Sequence, residues 1–238
     1  AATPPAPATP PAAAAPAASP GGLNLENAPD LELTRNQCAG GVAVACYNLG
    51  VMFDHGAGGV AVDDPQARAW YEQACSMGEM SGCANLAAML VDGEGGPADP
   101  PRARSLLDKA CSASQAKGCF GLAMLYDDGV GLPVDDARAR ELYGKACGLG
   151  ELTGCTLLGV MRITAEGGPP DPAGAEKMFA IACDGGLARG CTARGKMYEN
   201  GDGVTADPAA AKRYYDRACA GGDNDGCLGA LRVGGAAR

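Results

Sequence analysis

One histidine, one tryptophan and three phenylalanines stand in a chain of 238 residues, and each scarcity closes a route. A single imidazole, His55, cannot build a histidine-based metal centre, which takes several converging ligands, so no metal or other cofactor is expected. With so few bulky rings and 37 glycines, the core is thin, and part of the stability has to come from elsewhere. Positive charge is in deficit: 19 Lys and Arg against 28 Asp and Glu give a net charge of −9. That balance argues against nucleic acid as a partner, because such binding rests on clustered cations. No apolar run reaches the roughly eighteen residues of a spanning helix, so no membrane span is expected. The chain opens without Met or a signal-peptide apolar core, and an export signal removed ahead of Ala1 is the expectation.

What the chain has in quantity is cysteine. Twelve fall in six pairs of one spacing: Cys38/Cys46, Cys75/Cys83, Cys111/Cys119, Cys147/Cys155, Cys183/Cys191 and Cys219/Cys227. The pairs recur every 36 residues, with one residue more between the first two. A period near 36 marks a solenoid of helical hairpins, and an even, strictly local set of Cys marks disulfides. Zinc sites keep about two to four residues between neighbouring Cys, whereas seven intervene here. Cytosolic reductants would keep such thiols open, so the pairing places the chain in an oxidising compartment, periplasmic or secreted. Residues 1–22, almost all Ala and Pro, read as a disordered tether, and residues 23–238 as the repeat array.

Each unit holds two helices. In the third, the run Cys119–Tyr126 places Leu122, Leu125 and Tyr126 at helical spacing, which makes an amphipathic helix A. Gly129 and Gly131 end it, since Gly takes the left-handed conformation without steric cost. Helix B starts at an Asp that recurs in register: Asp63, Asp99, Asp135, Asp171 and Asp207. Three of these precede Pro, as helix N-caps do. Helix B carries Ala one turn in and a bulky pair near its end, from Trp70-Tyr71 to Tyr214-Tyr215. Each Cys pair joins the end of one B to the start of the next A, closing a nine-residue loop at about 2–3 kcal/mol of unfolded-state entropy. Leu23–Cys38 is expected to form a lone B-type cap, and Cys227–Val233 a short A-type helix without a partner.

The pattern Leu-Gly-x-Met-Phe/Tyr-x-x-Gly-x-Gly, then Asp, then Ala…Tyr-x-Lys-Ala-Cys, resembles Sel1-like repeats, relatives of the tetratricopeptide repeat. With cysteines at every hairpin it is similar to the Helicobacter cysteine-rich proteins, over roughly residues 38–233. The resemblance implies an all-α, right-handed solenoid of five hairpins with partial caps. Four positions depart from the pattern: Arg162 for the aromatic, Ala165 for the first turn Gly, Gly174 inside helix B, and Arg194 for a helix A Leu. These units are either decayed or repurposed.

The recurring Gly-x-Gly is a turn and not a phosphate loop, because it follows a helix in several copies. Ser114-Gln-Ala-Lys117 matches the Ser-x-x-Lys nucleophile motif of penicillin-recognising enzymes, and the resemblance implies penicillin binding with weak β-lactamase activity. The companion Ser-Asp-Asn and Lys-Thr-Gly motifs are absent, so a surface loop is the better reading. No catalytic residue is assigned. In such superhelices helix A lines the concave side as one groove, which points to a non-catalytic scaffold gripping a protein or peptide. The alternative ligand is a cell-wall peptide or a β-lactam. Residues between the Leu and Met positions are the binding candidates: Asn48, Asp54, His55, Asn85, Asp92, Met124, Asp127, Asp128, Thr164, Lys196, Glu199 and Asn200.

Overall fold

The computed structural model of the protein describes residues 30–235. The tether expected over residues 1–22, and the first part of the cap expected from Leu23, lie outside them. Twelve helices occupy the described residues. The B type comprises α1 (Leu31–Ala39), α3 (Asp64–Ser76), α5 (Pro100–Ser112), α7 (Asp136–Gly148), α9 (Pro172–Asp184) and α11 (Pro208–Ala220). The A type comprises α2 (Ala43–His55), α4 (Met80–Asp92), α6 (Ala116–Asp128), α8 (Leu152–Thr164), α10 (Ala188–Asn200) and α12 (Asn224–Gly235).

The recurring Asp residues cap helix B as expected. Asp63, Asp99, Asp135, Asp171 and Asp207 each accept a side-chain hydrogen bond from an amide of the first turn, satisfying a donor with no intrahelical partner. Their own amides donate back to helix A, as Asp135 N does to Tyr126 O at 2.9 Å. One short loop thus joins two helix ends. Helix A ends on left-handed Gly56, Gly93, Gly129 and Gly201. In the fourth unit Ala165 takes the same conformation, at φ 65°.

All six Cys pairs are disulfides: Cys38–Cys46, Cys75–Cys83, Cys111–Cys119, Cys147–Cys155, Cys183–Cys191 and Cys219–Cys227, with Cα atoms 4.4–4.9 Å apart. Their place on helix A corrects the sequence reading. Cys46, Cys83, Cys119, Cys155, Cys191 and Cys227 do not open the A helices; each stands in the first turn, preceded by three helical residues. The bond consequently joins two helix bodies and not two loose ends. It also lies deep: Cys46, Cys83, Cys119 and Cys155 are wholly buried, and Cys191 nearly so. The sulfurs of these five bonds are part of the core, whereas Cys219 and Cys227 at the end of the array are half-buried.

Such an approach needs small neighbours. In five of the pairs the residue before the second Cys is Gly82, Gly118, Gly154, Gly190 or Gly226, facing Ala74, Ala110, Ala146, Ala182 or Ala218 on the preceding helix B. A Cβ on Gly118 would lie 2.5 Å from the Ala110 Cβ. The Ala one turn into helix B (Ala67, Ala103, Ala139, Ala175, Ala211) is fully buried, as are Tyr71, Tyr143 and Tyr215 at its far end.

Four pairs of successive A helices approach one another directly, α4 with α6 and α10 with α12 most closely, α2 with α4 and α8 with α10 less so, while B helices make no comparable approach to other B helices. The A helices therefore lie on the inside of the curve.

Three of the four departures are compensated. Arg162 reaches Asp171 at 2.7 Å, and a Cβ on residue 174 would overlap both Arg162 Nη1 and Asp171 Oδ2. Gly174 makes room for that pair. Arg194 forms a largely buried bridge with Glu176 at 2.7 Å and lies over the Tyr214 ring at 4.4 Å. These units have exchanged apolar contacts for ionic ones and kept their shape.

Candidate functional site

The inner face is not uniform, and the predicted residues divide into three groups. Asp54, Asp127 and Glu199 occupy one repeat position and point toward helix B. They accept hydrogen bonds from Tyr71 at 2.8 Å, Tyr143 at 3.0 Å and Tyr215 at 2.6 Å. Burial first, and the neighbouring carboxylate second, push all three phenols above the ordinary tyrosine range. Glu199 is also held by Arg232 of α12, at 2.7 and 2.5 Å. That bond holds its carboxyl below the usual range.

The second group gathers in a groove of about 500 Å³ between α4 and α6. Asn85 and Asp92 come from α4, Met124 and Asp128 from α6. Beneath them lies an apolar floor of Ala88, Val91, Leu107 and Leu125. Met124 stays 40% exposed, an apolar side chain offered to solvent in a concave site. Lys117 and Glu151 stand at the rim. Lys196 and Asn200 belong to a second groove of about 1120 Å³, between α8, α10 and the start of α12. There Val160 and Ile163 are 41% and 39% exposed.

The third group lines neither groove. Asn48 is half-buried on α2. His55 ends α2, exposed, with Nδ1 3.4 Å from Asp54 Oδ2. Thr164 turns its hydroxyl to Val160 O at 3.1 Å. The cysteines line neither groove either; they set the spacing of the helices that do. Sequence reasoning sought polar residues and so missed the floor: Val91, Phe120, Val160 and Ile163. The available signal was an apolar residue on helix A outside the Leu and Met core positions.

Ser114 is exposed and has φ 61°. The same loop position holds Gly41, Gly78, Gly150, Gly186 and Gly222 elsewhere, all at positive φ. Ser114 is a turn residue standing where five other loops use Gly.

Among curated proteins, cytochrome c oxidase assembly factor 7 of Xenopus tropicalis is 41% identical over 58 residues, 24% of this chain. The chain spans about a quarter of that relative's length. Among solved structures, a protective antigen present in uropathogenic Escherichia coli strains is similar with a TM-score of 0.77 at 25% identity. That match covers 86% of this chain and 44% of the antigen. Cysteine rich protein B of Helicobacter pylori is 30% identical, with a TM-score of 0.45 over 55% of this chain and 93% of its own. The Sel1 repeat model matches residues 43–79, 81–114, 116–151, 153–187 and 188–223. With five repeats over most of its length, this chain belongs to the Sel1 repeat family.

Proposed function

We propose that the protein is a non-catalytic scaffold that holds a segment of another protein against its helix A face, in an oxidising compartment such as the periplasm or the exterior. The observation that carries this reading is the groove between α4 and α6. An exposed Met124 and an apolar floor lie beneath polar groups that can bond a peptide backbone, Asn85 offering both donor and acceptor. Twelve cysteines, all in disulfides, support the compartment. A stiff repeat array presenting one face suits binding better than chemistry.

The test is affinity capture from the native envelope with the intact chain and two sets of variants. Met124→Asp and Asn85→Ala should weaken recovery of the captured segment. Asp108→Ala and Lys177→Ala, exposed on B helices, should leave it unchanged. The opposite pattern would place the partner on the outer face. β-Lactam turnover should stay at buffer background, because Ser114 lies on an exposed turn and not in a dry pocket beside a base. Turnover that disappeared in Ser114→Ala would overturn the scaffold reading.

A further inference from the structure

The two grooves are one site built twice. Every residue lining the α4/α6 groove, except Asp92, has its counterpart two repeats (72 residues) on in the lining of the larger groove. The floor keeps its apolar character: Val91 becomes Ile163, Leu107 becomes Phe179, and Leu125 becomes Met197. The rim keeps its charges: Lys117 becomes Arg189, and Glu151 becomes Asp223.

A shift of one repeat does not reproduce this, because neighbouring repeats differ on the inner face. The position filled by Val91 and Ile163 in the second and fourth repeats holds Asp54, Asp127 and Glu199 in the others. There it is tied to a tyrosine of helix B. Where helix B offers Leu107 or Phe179 instead, no hydroxyl needs a partner, and the inner face can be apolar.

Resting on the scaffold reading above, we infer that both sites are filled by one extended peptide segment with two large apolar side chains, one for each floor. Packed helix axes lie about 8–10 Å apart, and successive A helices touch less than neighbouring A and B helices do, so equivalent points two repeats on are about 20 Å apart or more. An extended chain advances about 3.3 Å per residue, which sets the anchors about six to eight residues apart. Among the described residues neither Lys117 nor Arg189 forms an ion pair. Both are free to bond peptide carbonyls.

The sites differ in charge, which gives the segment a direction. Asp92 and Asp128 flank the first floor; in the second Asn200 stands for Asp128, the counterpart of Asp92 lies outside the lining, and Lys196 in place of Met124 offsets Asp202 in place of Val130. The anchor of the first site is therefore followed or preceded by Lys or Arg, and that of the second is not.

Random 16-residue peptides displayed on phage and selected on the disulfide-intact chain test this. Expected is a consensus of two apolar positions six to eight apart with a basic residue beside one. Its affinity should fall about tenfold or more in Val91→Asp and again in Ile163→Asp, with both effects compounding in the double variant. Thermal melts separate lost binding from lost folding, and Val91→Ala with Ile163→Ala repeats the comparison without adding charge. A single-anchor consensus sensitive to only one of the two positions would overturn the double site and leave the helix A face standing. No enrichment, or peptides sensitive only to B-helix changes, would overturn both.

Discussion

Ser114 and Ala165 are the two non-glycine residues with positive φ among the described residues, and both occupy positions that equivalent units fill with Gly. The left-handed region costs a residue with a Cβ about 1–2 kcal/mol. Part of that is offset because Gly has more conformational freedom to lose on folding. Ser114→Gly and Ala165→Gly should each stabilise the fold by about 0.5–1 kcal/mol, read as a higher denaturation midpoint at unchanged m-value. A lower midpoint would mean that these side chains make contacts outweighing the strain.

The tyrosine–carboxylate bonds act at the same scale. Tyr143→Phe removes the donor to Asp127 and should cost about 1–3 kcal/mol, as for bonds to charged groups. The phenols also set an alkaline limit. Their pKa values are raised in the folded state, so the stabilisation is complete below the unfolded tyrosine value near 10. It is lost as pH climbs from there toward the folded values. In a titration followed at 295 nm, Tyr71, Tyr143 and Tyr215 should ionise late, together with unfolding. Early ionisation of all seven tyrosines would contradict those bonds.

Between helices, the disulfide contacts depend on Gly facing Ala, and the tightness varies. At Gly118 an added Cβ would meet Ala110 Cβ at 2.5 Å and the Cys111 backbone N at 2.9 Å, so α5 and α6 would have to separate. At Gly154 the nearest atom is 3.2 Å away, a crowding that slight movement relieves. Gly118→Ala should therefore destabilise by about 1–3 kcal/mol. Gly154→Ala should be near neutral, since Ala is favoured over Gly in a helix by up to about 1 kcal/mol. Equal effects at both positions would mean that the helix pairs yield freely. The ionic substitutions in the fourth and fifth repeats follow the same logic of fit. Gly174 is small because the Arg162–Asp171 pair occupies the space of its Cβ.

Across the whole molecule, small residues and few rings leave each hairpin weakly packed on its own, and the disulfides fix neighbours together. Each closes a short loop, nominally about 2–3 kcal/mol of unfolded-state entropy, against a net stability of about 5–15 kcal/mol for an ordinary domain. Reduction under non-denaturing conditions should lower the melting temperature by tens of degrees or unfold the array. Proteolytic mapping without reductant should return six local loops. A reduced chain melting within a few degrees of the oxidised one would show that packing alone suffices.

The period of the cysteines, the Asp caps and the turn glycines was enough by itself to establish the repeat, the helix ends they mark and the disulfide partners. These are local matters: a cap needs an oxygen beside the first turn, and a nine-residue loop brings its own ends together. The start of helix A carries no marker that recurs in every unit: Glu79 and Glu151 cap α4 and α8 with their side chains, but the other units do not repeat them. Val42, Gln115 and Leu187 stand at that position without a side-chain cap, so the linear reading placed the start late, at Cys46, Cys119 and Cys191. Which side chains share a surface was not legible either. Asp54, Asp127 and Glu199 look like groove residues in sequence, yet each is claimed by a tyrosine 16 or 17 positions on. Val91 and Ile163, passed over in a search for polar residues, floor the grooves. Only the packing of A against B decided this, because a hydroxyl buried on helix B must find an acceptor, and the acceptor it takes is withdrawn from the inner face.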